Sequence, residues 1–194
     1  MLEILRSVIQ EVNRADDLKS VLEIVGERVL KTMQTEVCSI YLKDEDRQRY
    51  VFMATRGLNR EAVGKVSLGL HEGLVGYVGE RAEPINLEDA HNHPRNRFFE
   101  EIGEDPYHAF LGVPIIHHRK LLGVLIVQQQ QTRRFDESEE AFLITLSAQL
   151  AGVIAHAEAT GALALQDRAR KSARFEGMQG VAGIAIGTVS YTHL

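Results

Sequence analysis

Five histidines crowd the middle of the chain: His91, His93, His108, His117 and His118. Imidazoles in such number invite a metal reading. A closed zinc site, however, needs three or four ligands at defined geometry. The one thiol, Cys38, lies far upstream, and the His117-His118 pair sits between two apolar runs where a solvated turn belongs. The expectation is therefore no metal site. Cys38 could act as a redox sensor only in an accessible, electropositive setting. It lies in an apolar run with Ile40 and Leu42, so a small buried hydrophobe is the expectation. Gly73, Gly76 and Gly79 recur every three residues, yet match neither glycine pattern that cradles phosphates. They suit close packing of a short helix on a sheet, as one wall of a pocket. Ser39, Ser67 and Ser138 lack a nucleophile elbow and a readable His–Asp partner. No catalytic constellation is legible, which leaves binding.

Binding groups need elements to position them. Leu2, Leu5, Val8, Ile9 and Val12 recur at helical spacing. A second helix is expected with Asp16 or Asp17 as its cap, Leu18, Val21, Leu22, Val25, Val29 and Leu30 on its buried side, and an end near Met33. The period then falls to two across Val37–Leu42 and Tyr50–Thr55, with a charged turn between them, which predicts a hairpin. Short strands are expected at Lys65–Leu70 and Pro84–Leu87, and a short helix at Leu74–Val78. Residues 88–106 read as a long loop with helical turns, a kind of segment more often functional than idle.

Ala109–Ile116 and Leu121–Val127 predict a second hairpin with a charged tip. Asp136 with Glu139 three residues on reads as a capping box. The helix behind it carries Phe142, Leu146, Leu150, Val153 and Ala157 in near-heptad order, which suits either pairing between protomers or core packing. Residues 161–179 read as a helical linker, 180–189 as a strand without partners, and 190–194 as a tail of doubtful nativeness. Locally paired strands with helices at the ends predict an α+β domain with an antiparallel sheet.

Composition sets outer limits. The chain of 194 residues is 44% hydrophobic and 25% charged, with a net charge of -5. That balance suits a folded domain, and an acidic chain without a basic stripe is a poor nucleic-acid binder, so no nucleic-acid partner is expected. A single cysteine excludes a disulfide framework. No run is read as long enough to span a bilayer, and the amino terminus lacks a signal-peptide core. The expectation is a cytoplasmic protein without membrane contact.

The strings TEVCSIYL (35–42), MATRGL (53–58), EPINL (83–87), AFLGVPII (109–116), LLGVLIVQQ (121–129) and FDESEE (135–140), in this order, resemble a GAF domain. More narrowly, they resemble the amino-terminal GAF domain of the nitrogen-related enzyme I family of phosphoenolpyruvate–protein phosphotransferases. The resemblance runs from Met1 to about Ala159. It implies a GAF sensory domain over 1–160 and makes 180–189 the opening strand of a phosphohistidine domain whose motif, like the barrel after it, is absent. No histidine here would then be the phosphorylated one. Within this stretch no enzyme activity and no cofactor are expected; Mg2+ and phosphoenolpyruvate belong to the absent domains, as does an HPr-like carrier as partner.

The resemblance also implies an effector, glutamine, with 2-oxoglutarate in opposition, and a homodimer signalling through the last helix. It places the ligand between the sheet and the irregular middle, near Ser39, Tyr41, the Arg56 region, residues 71–75, residues 89–97 and the start of the Ala109 strand. A free amino acid requires a cation for its carboxylate and an acid for its ammonium. Arg56, Arg95 and Arg97 are the candidates for the first role, Glu72 and Asp89 for the second. Two other readings stand beside this one. The module could dimerise or dock without a ligand, or belong to another GAF signalling protein; a bilin thioether is excluded because no cysteine lies between Leu58 and Phe110.

Overall fold

The computed structural model describes residues 2–15 and 17–183, with residues 2 and 162–183 as backbone alone. Two helices open the chain, α1 (Leu2–Val12) and α2 (Leu18–Met33). Asp17 caps α2 by accepting from the Ser20 amide at 2.8 Å, and Asp16 lies outside the described residues. The first hairpin follows as β1 (Val37–Asp44) and β2 (Arg49–Arg56), with a register shift opposite Ile40 and Tyr41. The irregular middle resolves into β3 (Ser67–Gly69), α3 (Gly73–Arg81), β4 (Ile85–Leu87) and a 3-10 turn at Ala90–Asn92. The second hairpin is β5 (Ala109–His117) and β6 (Lys120–Gln129). Its two turn residues, His118 and Arg119, both sit in the left-handed region at φ 47° and 66°, the twist that a two-residue hairpin demands.

The six strands form one antiparallel sheet in the order β3-β2-β1-β6-β5-β4. The two long hairpins meet at β1 and β6, so the centre of the sheet pairs residues far apart in sequence, from Val37 with Gln128 to Leu42 with Gly123. The observed class is the expected α+β sheet with helices at both ends.

Each sheet face has its own core. One buries Val25 and Val29 of α2, Cys38, Ile40, Leu111, Leu125 and Val127 of the strands, and Phe142, Leu146 and Leu150 of the last helix. The other buries Tyr41, Phe52, Phe110 and Ile126 beneath Leu74, Val75 and Val78 of α3. The α3 glycines permit the close approach read from their spacing. A Cβ at Gly76 would stand 2.8 Å from the His71 backbone, and one at Gly79 would stand 1.9 Å from the Tyr50 hydroxyl.

The last helix, α4 (Glu137–Gly183), begins with the predicted capping box. Asp136 accepts from the Glu139 amide at 2.9 Å, and Glu139 accepts from the Asp136 amide at 2.8 Å. Its early apolar stripe is spent on the chain's own core, since Phe142, Leu146 and Leu150 are all buried. By length and composition Glu137–Gly161 could cross a bilayer, which corrects the reading that no such run exists; its stripe packs as a core helix instead. Contacts divide the chain into one unit ending at Ala155 and a second beginning at His156. In the second unit α4 continues to Gly183. Residues 161–179 are thus helical, and 180–183, expected to open a strand, are helical too. A helix satisfies its backbone locally, whereas a strand needs a neighbour. The remainder of that expected strand and the tail 190–194 lie outside the described residues.

Candidate functional site

The α3 face of the sheet buries a group of polar side chains, Ser39, Thr55 and Gln128. On β1, Ser39 and Tyr41 alternate with the apolar Cys38 and Ile40, so both turn toward α3. The Ser39 hydroxyl is fully buried and bonds the Thr55 hydroxyl across the hairpin at 2.8 Å. The Tyr41 hydroxyl and the Gln128 Oε1 are buried with no hydrogen-bond partner of good geometry. Beside Tyr41 stands Glu104, which is 9% exposed. Burial, with the charge of Asp105 adding to it and contact with the Tyr41 hydroxyl opposing it, pushes this carboxyl up to about 7. Burial, and then the Glu104 charge, pushes the Tyr41 phenol well above its ordinary range.

Glu104 and Gln128 line a cavity of about 20 Å³ together with Leu74, Asn96, Arg97 and Phe99. That space suits a single water, far below the several hundred Å³ that a drug-sized ligand occupies.

The other predicted residues scatter around this centre. Arg97 is exposed at the rim of the cavity and forms no ion pair among the described residues. Arg95 is held outside it, donating to Glu80 at 3.0 Å and to the His71 carbonyl at 2.8 Å, with its guanidinium over the Tyr77 ring. Hydrogen bonds from Arg95 and then His71 hold the Glu80 carboxyl below its ordinary value. Glu72 precedes α3 and accepts from the Gly69 amide at 2.9 Å. Asp89 caps the turn at Ala90–Asn92 through the His91 amide and accepts from His108 Nδ1 at 3.0 Å. That bond, before the smaller contributions of His91, lowers the Asp89 carboxyl.

Arg56 stands apart. It pairs in register with Cys38 and so shares the helical face, where it reaches Glu23 and Glu27 of α2 at 3.8 and 4.0 Å. Its stem crosses Gly26, where a Cβ would lie 3.2 Å from it. The expectation that Arg56 lines the same pocket as Tyr41 therefore fails, because strand alternation sends the two side chains through opposite faces. Cys38 meets its expectation: burial pushes the thiol up to about 12, which leaves it inert at neutral pH.

The six-stranded antiparallel sheet carries a short helix on one face and the terminal helices on the other, and residues 17–154 match the GAF domain family. The chain belongs to the GAF domain family. Its GAF domain is similar to solved GAF domains of two phosphoenolpyruvate–protein phosphotransferases. The one from Coxiella burnetii is 49% identical with a TM-score of 0.80, over 83% of this chain and 96% of that one. The one from Acinetobacter is 52% identical with a TM-score of 0.77, over 81% of this chain and 94% of that one. The phosphoenolpyruvate-dependent phosphotransferase system protein of Salmonella typhimurium is 45% identical over 188 residues, 97% of this chain and 25% of the relative. The chain spans about a quarter of the length of the curated relatives it matches.

Sequence reasoning missed the central groups of this GAF domain. Glu104 sits in a polar stretch where an acid signals nothing, and only the buried Ile102 beside it hints that the loop turns inward. Gln128 ends an apolar strand, and its parity with Phe110 and Ile126 is the one signal that could have pointed it toward α3.

Proposed function

We propose that this GAF domain is the small-molecule sensor of a phosphoenolpyruvate–protein phosphotransferase, with glutamine as effector and 2-oxoglutarate in opposition. The observation that carries this reading is the set of buried polar groups on the α3 face. A buried hydroxyl or amide oxygen without a well-aligned partner costs stability. A ligand that bonds those groups recovers that cost.

Arg97 at the rim offers a free cation for a ligand carboxylate, Glu104 an acid for its ammonium, and Tyr41 and Gln128 polar contacts for a side-chain amide. Entry requires the segment between Asn96 and Glu104 to move outward, since the cavity as it stands is about 20 Å³. The parent enzyme would take phosphate from phosphoenolpyruvate onto a histidine and pass it to an HPr-like carrier, with Mg2+, through regions outside the GAF domain. Its likeness to phosphotransferases along 97% of this chain supports that setting. Ligand state would reach those regions through α4, in a homodimer under nitrogen control.

Thermal shifts of the 194-residue chain with glutamine, 2-oxoglutarate, other amino acids and cyclic nucleotides test the reading. A ligand at a hundred times its Kd stabilises by about 2.7 kcal/mol, worth about 2–4 °C per kcal/mol in a domain of this size. A rise with glutamine that Glu104→Gln abolishes supports it. The closed cavity favours a second reading, a dimerising module without ligand, and no rise with any compound together with a dimeric mass in solution would select it.

A further inference from the structure

We propose that Asp89, His91 and His108 form a binding site for one divalent transition metal ion of the zinc class. One donor atom from each lies within 4.8 Å of the others. The three come from two segments that the fold ties together. The Ala90 amide donates to the His108 carbonyl at 2.6 Å, and the His108 amide donates to the Gln129 carbonyl of β6 at 3.0 Å. Asp89 is fixed twice more, by the His91 amide at 3.1 Å and the Asn92 side chain at 2.9 Å. Two donors are thus already positioned by the backbone bonds at the start of β5 and by a capped turn, the preorganisation that metal sites require.

The chemistry fits as well. Two imidazoles and one carboxylate form a three-ligand set that zinc and its neighbours accept, with positions left for water. Donors on a common tetrahedral ion stand about 3.4 Å apart, given metal–ligand lengths near 2.1 Å. Asp89 Oδ1 and His108 Nδ1, at 3.0 Å, are near that spacing. His91 supplies the remaining movement. Its ring is exposed, stacks on His108 at 4.0 Å between centroids, and its Nε2 faces the Tyr107 carbonyl at 3.2 Å. Binding would exchange that contact, and the edge contact of the ring with Phe98 at 4.7 Å, for the ion. The His117–His118 pair is a built-in control: its rings lie 4.1 Å apart at the hairpin tip, and no carboxylate joins it in a three-donor group among the described residues. A bound ion would staple residues 89–92 to the start of β5.

The test is calorimetric titration of the tag-free, chelator-treated chain with Zn2+, repeated with Co2+ to read ligand geometry from its visible spectrum. One equivalent should bind. His91→Ala and His108→Ala should each weaken it by at least about tenfold, while the double variant His117→Ala/His118→Ala leaves it unchanged. His91 is exposed, so its variant keeps the fold and a thermal melt verifies that. Absence of uptake with Zn2+ in large excess, or uptake lost in the hairpin double variant and kept in His91→Ala, overturns the proposal.

Discussion

The two faces of one sheet are built to different rules. Toward α1, α2 and α4 the strands offer Cys38, Ile40, Leu111, Val113, Leu125 and Val127, and the helices answer with aliphatic and aromatic side chains. The buried hydroxyl of Ser147 on that side is satisfied by its own helix, donating to the Ile144 carbonyl at 2.8 Å. Toward α3 the same strands offer Ser39, Tyr41 and Gln128, and the loop adds Glu104; a small cavity lies against Gln128 and Glu104. Close-packed apolar contacts stabilise; buried polar groups without full partners cost stability unless something binds them. The helical face is therefore mainly a packing face, whereas the α3 face combines an apolar core of its own with groups useful for recognition.

Substitutions on the two faces should separate these roles. The largest effect is expected from Leu125→Ala on the helical face, which removes a fully buried side chain and should cost about 2–5 kcal/mol in urea unfolding. A cost below about 1 kcal/mol would break the assignment of that face as the stabilising one.

Next comes Glu104. Burial pushes its carboxyl up to about 7 in the folded protein, against 4.5 for the ordinary group. Between those values the folded state holds a proton that the unfolded chain has released, so stability falls as pH rises through this window, by an amount on the order of 3 kcal/mol. Glu104→Gln should flatten that fall, leaving the variant more stable than the parent at pH 8 and the gap closing below pH 5. Parallel pH curves for the two proteins would remove Glu104 from the polar centre.

Tyr41→Phe should be neutral or stabilising by up to about 1 kcal/mol, because the lost hydroxyl is buried without a well-aligned partner. A loss larger than that would mean the hydroxyl makes a working bond to Glu104, and the contrast between faces would sharpen into a polar network. Arg28→Ala sits at the small end. Its ion pair with Glu11 joins α1 and α2 at 41% and 33% side-chain exposure, so unfolding should shift by only about 0.2–1 kcal/mol.

The sequence by itself determined what repeats locally. Alternation over Val37–Leu42 and Tyr50–Thr55, the apolar runs at Ala109 and Leu121, the cap at Asp17 and the capping box at Asp136 each depend on residues within a few positions of one another, and each appears where the pattern places it. Tertiary structure decided which distant residues meet. Arg56 follows Cys38 to the helical face because cross-strand partners share a side. Glu104 reaches Tyr41 across sixty-odd positions, and Asp89 meets His108 because the start of β5 lies against the turn after β4. No short-range period encodes such meetings. They follow from the order in which β1 and β6 close the sheet, which fixes the neighbours of every side chain on its α3 face.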